Sequence, residues 1–130
     1  MTREGWLNFM TVRGIRGATT IASDQQAEVL AATTDLLTQM QQANDFSVQD
    51  LAAVLFTVTT DIHSVFPARA ARQLGWDRVP LMCFPEIEIE GALPLCIRVL
   101  ILWNTDYSQE QVRHVYLHGA KILRPDLQSD

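Results

Sequence analysis

The sequence predicts an α+β domain in which a mixed β-sheet is packed with helices. Three observations lead there. Apolar runs of strand length occur in AAVLFTVT, VPLMCF and LCIRVLILWNT, and they mix with helical patterns without a regular βαβ rhythm. One long segment carries apolar residues at helical spacing. No Gly/Ser linker, repeat or low-complexity run divides the 130 residues, so a single domain is expected over residues 11–130.

The elements follow in order. Residues 1–10 precede the first clear pattern and are expected to form a loosely held extension. Met10 to Thr20, which contains VRGIRGATT, reads as a strand entering a Gly- and Thr-rich turn. Ser23 followed by Gln26 is a capping-box pattern that opens a helix from about Asp24 to Ala43. Its stripe of Val29, Leu30, Leu36, Leu37 and Met40 is a core face. Ser47 and Asp50 start a short helix, and a buried strand follows from Ala52. Pro67 suits the first turn of a helix running to Leu74, where Gly75 is a natural stop.

VPLMCFPEIEIEG is a second strand, interrupted at Pro85, which points to an edge or a bulge. LCIRVLILWNT is the third main strand, apolar enough that both its faces are expected to be covered. After a turn or short helix near Ser108, RHVYLHGAKILRP is expected to be extended as far as Pro125.

Composition narrows the function. The net charge of −5 argues against nucleic acid or an anionic membrane as partner, since both require a basic face. The first residues, MTREGWLNFMT, lack the basic-then-apolar layout of a secretory signal. Cys83 and Cys96 have no CxxC spacing and suit buried free thiols, so a cytoplasmic location is expected. Nine of the ten basic residues are arginine, and only Lys121 is lysine. Arginine's planar fork binds carboxylates and phosphates through two bonds at once, where lysine is a point charge.

Arg98 is the most informative residue. A guanidinium inside LCIRVLILW must meet a protein carboxylate, a ligand anion or solvent, because leaving it unpaired in a dry interior costs several kcal/mol. Strand alternation sets Cys96, Arg98 and Leu100 on one side and Ile97, Val99 and Ile101 on the other. An apolar face broken by one arginine resembles a pocket wall. The structural alternative is an ion pair with Glu86, which stands apart from Glu88 and Glu90 because Pro85 breaks the alternation before it. Were the strand regular, the three glutamates would share one face, and a solvated edge suits the last two.

Arg13 and Arg16 flank the glycines of VRGIRGATT, but no GxGxxG or GxxxxGK pattern accompanies them, so nucleotide binding lacks support. Arg69 and Arg72 lie on one side of the helix after Pro67, where a surface salt-bridge role is the default. His114 and His118 lack the glutamate of a zinc-binding HExxH motif, and the V-Y-L alternation favours a strand with His114, Tyr116 and His118 on one face. His63 follows Asp61 without a serine nucleophile motif, and Cys83 has no base near it in sequence. An arginine-rich apolar pocket without metal, nucleotide or covalent machinery suits recognition of a small dianionic metabolite.

Taken together and in order, VRGIRGATT, VFPARAAR, VPLMCFPE, LCIRV, QVRHVYL and ILRPDL resemble the AroH-class chorismate mutases, the small monofunctional family that is not all-helical. The resemblance runs from about Val12 to Leu127. It implies a trimeric pseudo-α/β-barrel with active sites at subunit interfaces, and the Claisen rearrangement of chorismate to prephenate on the route to phenylalanine and tyrosine. It implies no cofactor and no metal. By motif, Arg16 is implied as a carboxylate ligand, and Arg98 as the group facing the ether oxygen and a carboxylate. Glu86 is implied to face the ring hydroxyl and the developing ring cation, with Cys83 in the same wall and Tyr116 donating to a carboxylate. Phe66, Ala68, Arg69, Arg72, Leu123 and Arg124 match the looser rim and a mobile C-terminal cover from about residue 124.

Three departures stand out. Arg69 sits where relatives carry lysine, Met82 and Pro85 occupy positions that are often polar, and residues 1–10 lie outside the pattern. Met82 is kept with the substrate-binding set by its place in the motif. Two other functions fit the same residues: a trimeric module that binds carboxylate metabolites without turning them over, and an amine or imine hydrolase on a similar scaffold. The second needs a water-activating group that the sequence does not identify, and the first has no need of Glu86 opposite Arg98.

Overall fold

Ten consecutive residues, Thr11–Thr20, exposed at the start and buried toward the end, form strand β1 in the computed structural model, which describes residues 10–123. The expected loose extension therefore lies outside the described residues except for Met10, and so do Arg124 and the tail beyond it. Helix α1 spans Gln26–Asn44, β2 Leu51–Val58, α2 Ala68–Gln73, β3 Leu81–Pro85, β4 Cys96–Thr105 and β5 Val115–Tyr116. Short 3₁₀ turns occupy Val48–Asp50 and His118–Leu123.

The strands form one five-stranded sheet in the order β3-β2-β4-β1-β5. The central strand β4 is antiparallel to β1 and β2, whereas β3 joins β2 and β5 joins β1 in parallel. The sheet is mixed, as the irregular strand and helix order predicts. α1 packs against β1 and α2, and the core lies between the sheet and these helices.

Alternation decides which residues enter that core. Ile15 of β1, Val54 and Phe56 of β2, and Val99, Ile101 and Trp103 of β4 face the helices and are buried with Leu36, Leu37 and Met40 of α1. Gly17 is small for a reason: a Cβ there would stand 2.4 Å from the Met40 sulfur, so the helix settles directly on bare backbone. Phe46, Trp76 and Trp103 close one end of the core, with ring centroids 5.8 and 6.0 Å from Phe46.

Several local expectations change in detail. The capping box does not form: α1 has Gln25 at its N-cap, and Glu28 reaches back instead to accept from Ser23 Oγ and the Ala22 N–H, each at 2.8 Å. The second strand stops at Pro85, and β3 pairs only with β2, so it is the edge strand that the proline foretold. Glu88 and Glu90 lie beyond it, and the three glutamates share no strand face. The final extended segment is limited to β5, because His118 adopts a left-handed φ of 51° and starts a 3₁₀ turn. The prediction that both faces of β4 are covered holds on the helix side. On the other side Arg98, Leu100 and Leu102 are half-buried and Asn104 is exposed.

Candidate active site

The half-covered face of the sheet is where the charged residues gather. Register aligns one row across all five strands, from Phe84 through Thr57, Arg98 and Ala18 to Tyr116. The next row holds Met82, Leu55, Leu100 and Arg16. Arg16, Leu55, Thr57, Phe84, Arg98 and Tyr116 line an open cavity of about 280 Å³ on this face. Ladder pairing on both sides of β4 fixes the backbone beneath Arg98, so its guanidinium rises from a rigid floor.

Glu86 follows β3 and remains tied to β2, since its N–H donates to the Val58 carbonyl at 2.9 Å. Its Oε1 accepts from the Thr57 hydroxyl at 2.6 Å and lies 2.7 Å from Arg98 Nε. The Arg98–Glu86 ion pair considered from sequence therefore forms. It joins the Arg98 Nε to the carboxylate oxygen that the Thr57 hydroxyl also holds. The Tyr116 hydroxyl is buried and has no hydrogen-bond partner among the described residues. One buried donor on the cavity thus has no partner among the described residues, which native interiors seldom tolerate without a ligand or solvent.

Arg16 is anchored through its backbone, whose N–H donates to His114 Nδ1 at 2.9 Å. His114 thus serves the strand junction. Leu123 packs beside Ala18, Tyr116 and Ala120 at the margin of the same face.

The remaining site candidates form a second cluster at the β3 edge. Phe66, Arg69, Arg72 and Cys83 line a cavity of about 450 Å³, together with residues 62–65 and Phe84. Phe66 is 70% exposed, a large apolar ring left mostly uncovered by the described residues. Arg69 and Arg72, spaced for one helix side, both face this cavity. Cys83 points to the helix side of β3, where burial pushes its thiol up in pKa while the Ala68 N–H and the Arg72 charge pull it partly back. Ala68 itself is buried, so its backbone N–H is what it presents there. Cys96 is buried more deeply, and its thiol is pushed up to about 11 by desolvation against the pull of Arg98.

Within one chain, then, Arg16, Arg98, Glu86 and Tyr116 come together, while Phe66, Arg69, Arg72 and Cys83 come together elsewhere. Phe84 lines both cavities. Met82 is exposed beside Leu55 on the half-covered face and lines neither. The sequence reading missed Thr57, Leu55 and Phe84. The period-2 pattern could have set Phe84 beside Met82, but only strand order brings Thr57 to Arg98.

A family model described as chorismate mutase type I matches residues 12–127. The chain belongs to this family. It is 56% identical over 119 residues to "Chorismate mutase AroH" of Thermus thermophilus, covering 91% of this chain and 98% of that protein. It is 45% identical over 119 residues to "Chorismate mutase AroH" of Bacillus subtilis (strain 168), covering 91% and 94%. Among solved structures, a chorismate mutase from Clostridium thermocellum aligns with a TM-score of 0.83 at 44% identity, over 85% of this chain and 98% of that one. The chorismate mutase activity, that of an isomerase, and the α+β fold expected from the sequence stand on these matches.

Proposed function

We propose that this chain rearranges chorismate to prephenate at the cavity floored by Arg98, with the rim supplied by the Phe66–Arg72 cluster of a second copy. The observation that carries the reading is the Arg98–Glu86 pair beside the buried Tyr116 hydroxyl, which has no hydrogen-bond partner among the described residues.

The reaction is pericyclic: a C–O bond breaks as a C–C bond forms, and no proton, hydride or group is transferred. The protein can help in two ways. It can hold the flexible substrate in its compact conformer, which is positioning. Arg16 and Tyr116 suit the two carboxylates, and Leu55, Phe84 and Leu100 supply apolar wall. It can also stabilise charge that appears only in the transition state, negative on the ether oxygen and positive on the ring. Arg98 suits the first and Glu86 the second, and their contact in the free protein shows that opposite charges can sit side by side there. Because no proton moves, the solvent isotope effect on the chemical step should be small. A chain with negative net charge can still attract a dianion, since arginines gathered in one cleft focus a local positive potential.

A homotrimer follows from the same reading. The half-buried apolar face of the sheet, with Val12, Met82 and Phe84 exposed, suits cover by a second copy. A heterologous contact repeated three times closes a ring and would bring each Arg98 cavity against a neighbour's Arg72 cavity. A cytoplasmic location suits the free thiols Cys83 and Cys96. No helix among the described residues is long and apolar enough to cross a membrane.

The test is complementation. Purified parent protein should deplete the ultraviolet absorbance of chorismate and yield prephenate, and Arg98→Ala and Arg72→Ala should each lose most of that activity. Reassembled from an equal mixture, roughly a quarter of the shared sites regain both arginines, so activity returns. No recovery from a mixture shown to contain mixed trimers would rule out the shared site. Failure of the parent to consume chorismate would favour the non-catalytic binding module.

A further inference from the structure

We propose that Thr57 is a positioning residue for the rearrangement, fixing the Glu86 carboxylate beside Arg98. This rests on the reading of Glu86 as the group that faces the ring cation.

Glu86 has side-chain freedom that Thr57 can restrict. Its backbone is tied to Val58, yet it lies just past the end of β3, and its side chain turns about three bonds. Left to itself, a carboxylate next to a guanidinium tends toward the fork-to-fork arrangement, in which both oxygens face the arginine. That arrangement would spend Arg98's donors on the protein and turn Glu86 away from a ligand. Thr57 opposes it. Its hydroxyl donates at 2.6 Å to Oε1, the same oxygen that lies 2.7 Å from Arg98 Nε.

Thr57 is well placed to act as a fixed point. It is the cross-strand neighbour of Arg98 on one side and of Phe84 on the other, so its backbone is held by ladders to β4 and β3. Branching at Cβ restricts its side chain to few rotamers, and the hydroxyl direction is set with them. It also lines the Arg98 cavity, so the bond to Glu86 is made at the site itself. When a ligand draws Arg98 toward its own anionic oxygen, the bond from Thr57 remains and Glu86 keeps its direction.

Valine has the shape of threonine without the hydroxyl. Thr57→Val should lower kcat about tenfold while KM stays within about twofold, the scale of one hydrogen bond to a charged group acting in the transition state. Thr57→Ser restores the donor and should recover most of the loss. In a Glu86→Ala background, Thr57→Val should change nothing further, because its effect runs through the missing carboxylate. Thermal unfolding of each variant confirms the fold, and Thr57→Ala replaces Thr57→Val if valine does not fold. The proposal is overturned if folded Thr57→Val turns over like the parent, or if it costs the same factor without Glu86. Full activity in Glu86→Ala alone would instead remove the reading of Glu86 on which the proposal stands.

Discussion

The two faces of the sheet are made by the same strands and differ in almost everything else. Toward the helices, Ile97, Val99, Ile101 and Trp103 of β4 are at most 5% exposed, packed against α1 and its neighbours. One residue along each time, Arg98, Leu100 and Leu102 are half-buried, and the face carries an ion pair and a buried Tyr116 hydroxyl without a hydrogen-bond partner among the described residues. The helix side completes itself from within the chain. The other side is left only half-covered by the described residues. Stability and chemistry are thus divided by the alternation of a single strand, so substitutions one residue apart should fail in different ways.

The largest effect on stability belongs to the helix side. Phe56 is fully buried, and Phe56→Ala should cost about 3–5 kcal/mol of unfolding free energy by leaving a cavity. Denaturant unfolding measures it, and kcat per folded molecule should stay near that of the parent. A large loss of kcat with unchanged stability would erase the division between faces.

Tyr116→Phe tests the opposite face and should act on the substrate. The hydroxyl has no partner to lose within the described protein, so the melting temperature should not fall. One ligand hydrogen bond is worth about 1 kcal/mol, which corresponds to a rise in KM of about fivefold. Marked destabilisation with normal kinetics would make Tyr116 a structural residue.

The smallest effect concerns the loop between the faces. Asp24 accepts the His63 N–H at 2.9 Å and the Ser64 N–H at 3.2 Å, pinning residues that line the Arg72 cavity. These bonds, the His63 N–H first, hold its carboxyl below the ordinary value of 3.8. A lowered folded pKa means stability that is present above the unfolded value and is lost as pH falls through the folded one. The parent should therefore melt slightly higher than Asp24→Asn at neutral pH, with the gap closing below about pH 4. A gap that widened on acidification would contradict this sign.

Which parts were legible in the sequence follows the range of the forces involved. Most of the α1 stripe, the stop at Gly75, the edge strand marked by Pro85 and the facing of Arg98 are local patterns and readable, although Leu30 is half-buried and Thr33 is buried in the helix face instead. The N-cap was misassigned because Glu28, two residues past the expected partner, won the free donors. β5 was overextended because V-Y-L alternation gives no sign that His118 turns left-handed. At the candidate site, Arg98 declared itself as a charge in an apolar strand. Thr57 did not, since its meeting with Glu86 depends on β2 lying between β3 and β4, an arrangement 29 residues apart in the chain. The separation of the Phe66–Arg72 cluster from Arg98 was equally invisible, because motif order says nothing about which side of a sheet edge each motif occupies.

The central claim is that the half-covered face does the chemistry and that Arg98 is its principal charge. Turnover of chorismate by Arg98→Ala, with the fold confirmed by its melting temperature, tests this most directly. Loss of a donor aimed at the developing negative charge costs about 3 kcal/mol or more, so kcat should drop at least about a hundredfold while the protein stays folded. Arg98→Lys should recover only part, because an ammonium cannot reproduce the fork. A folded Arg98→Ala protein that converts chorismate at near the parent rate would contradict the account.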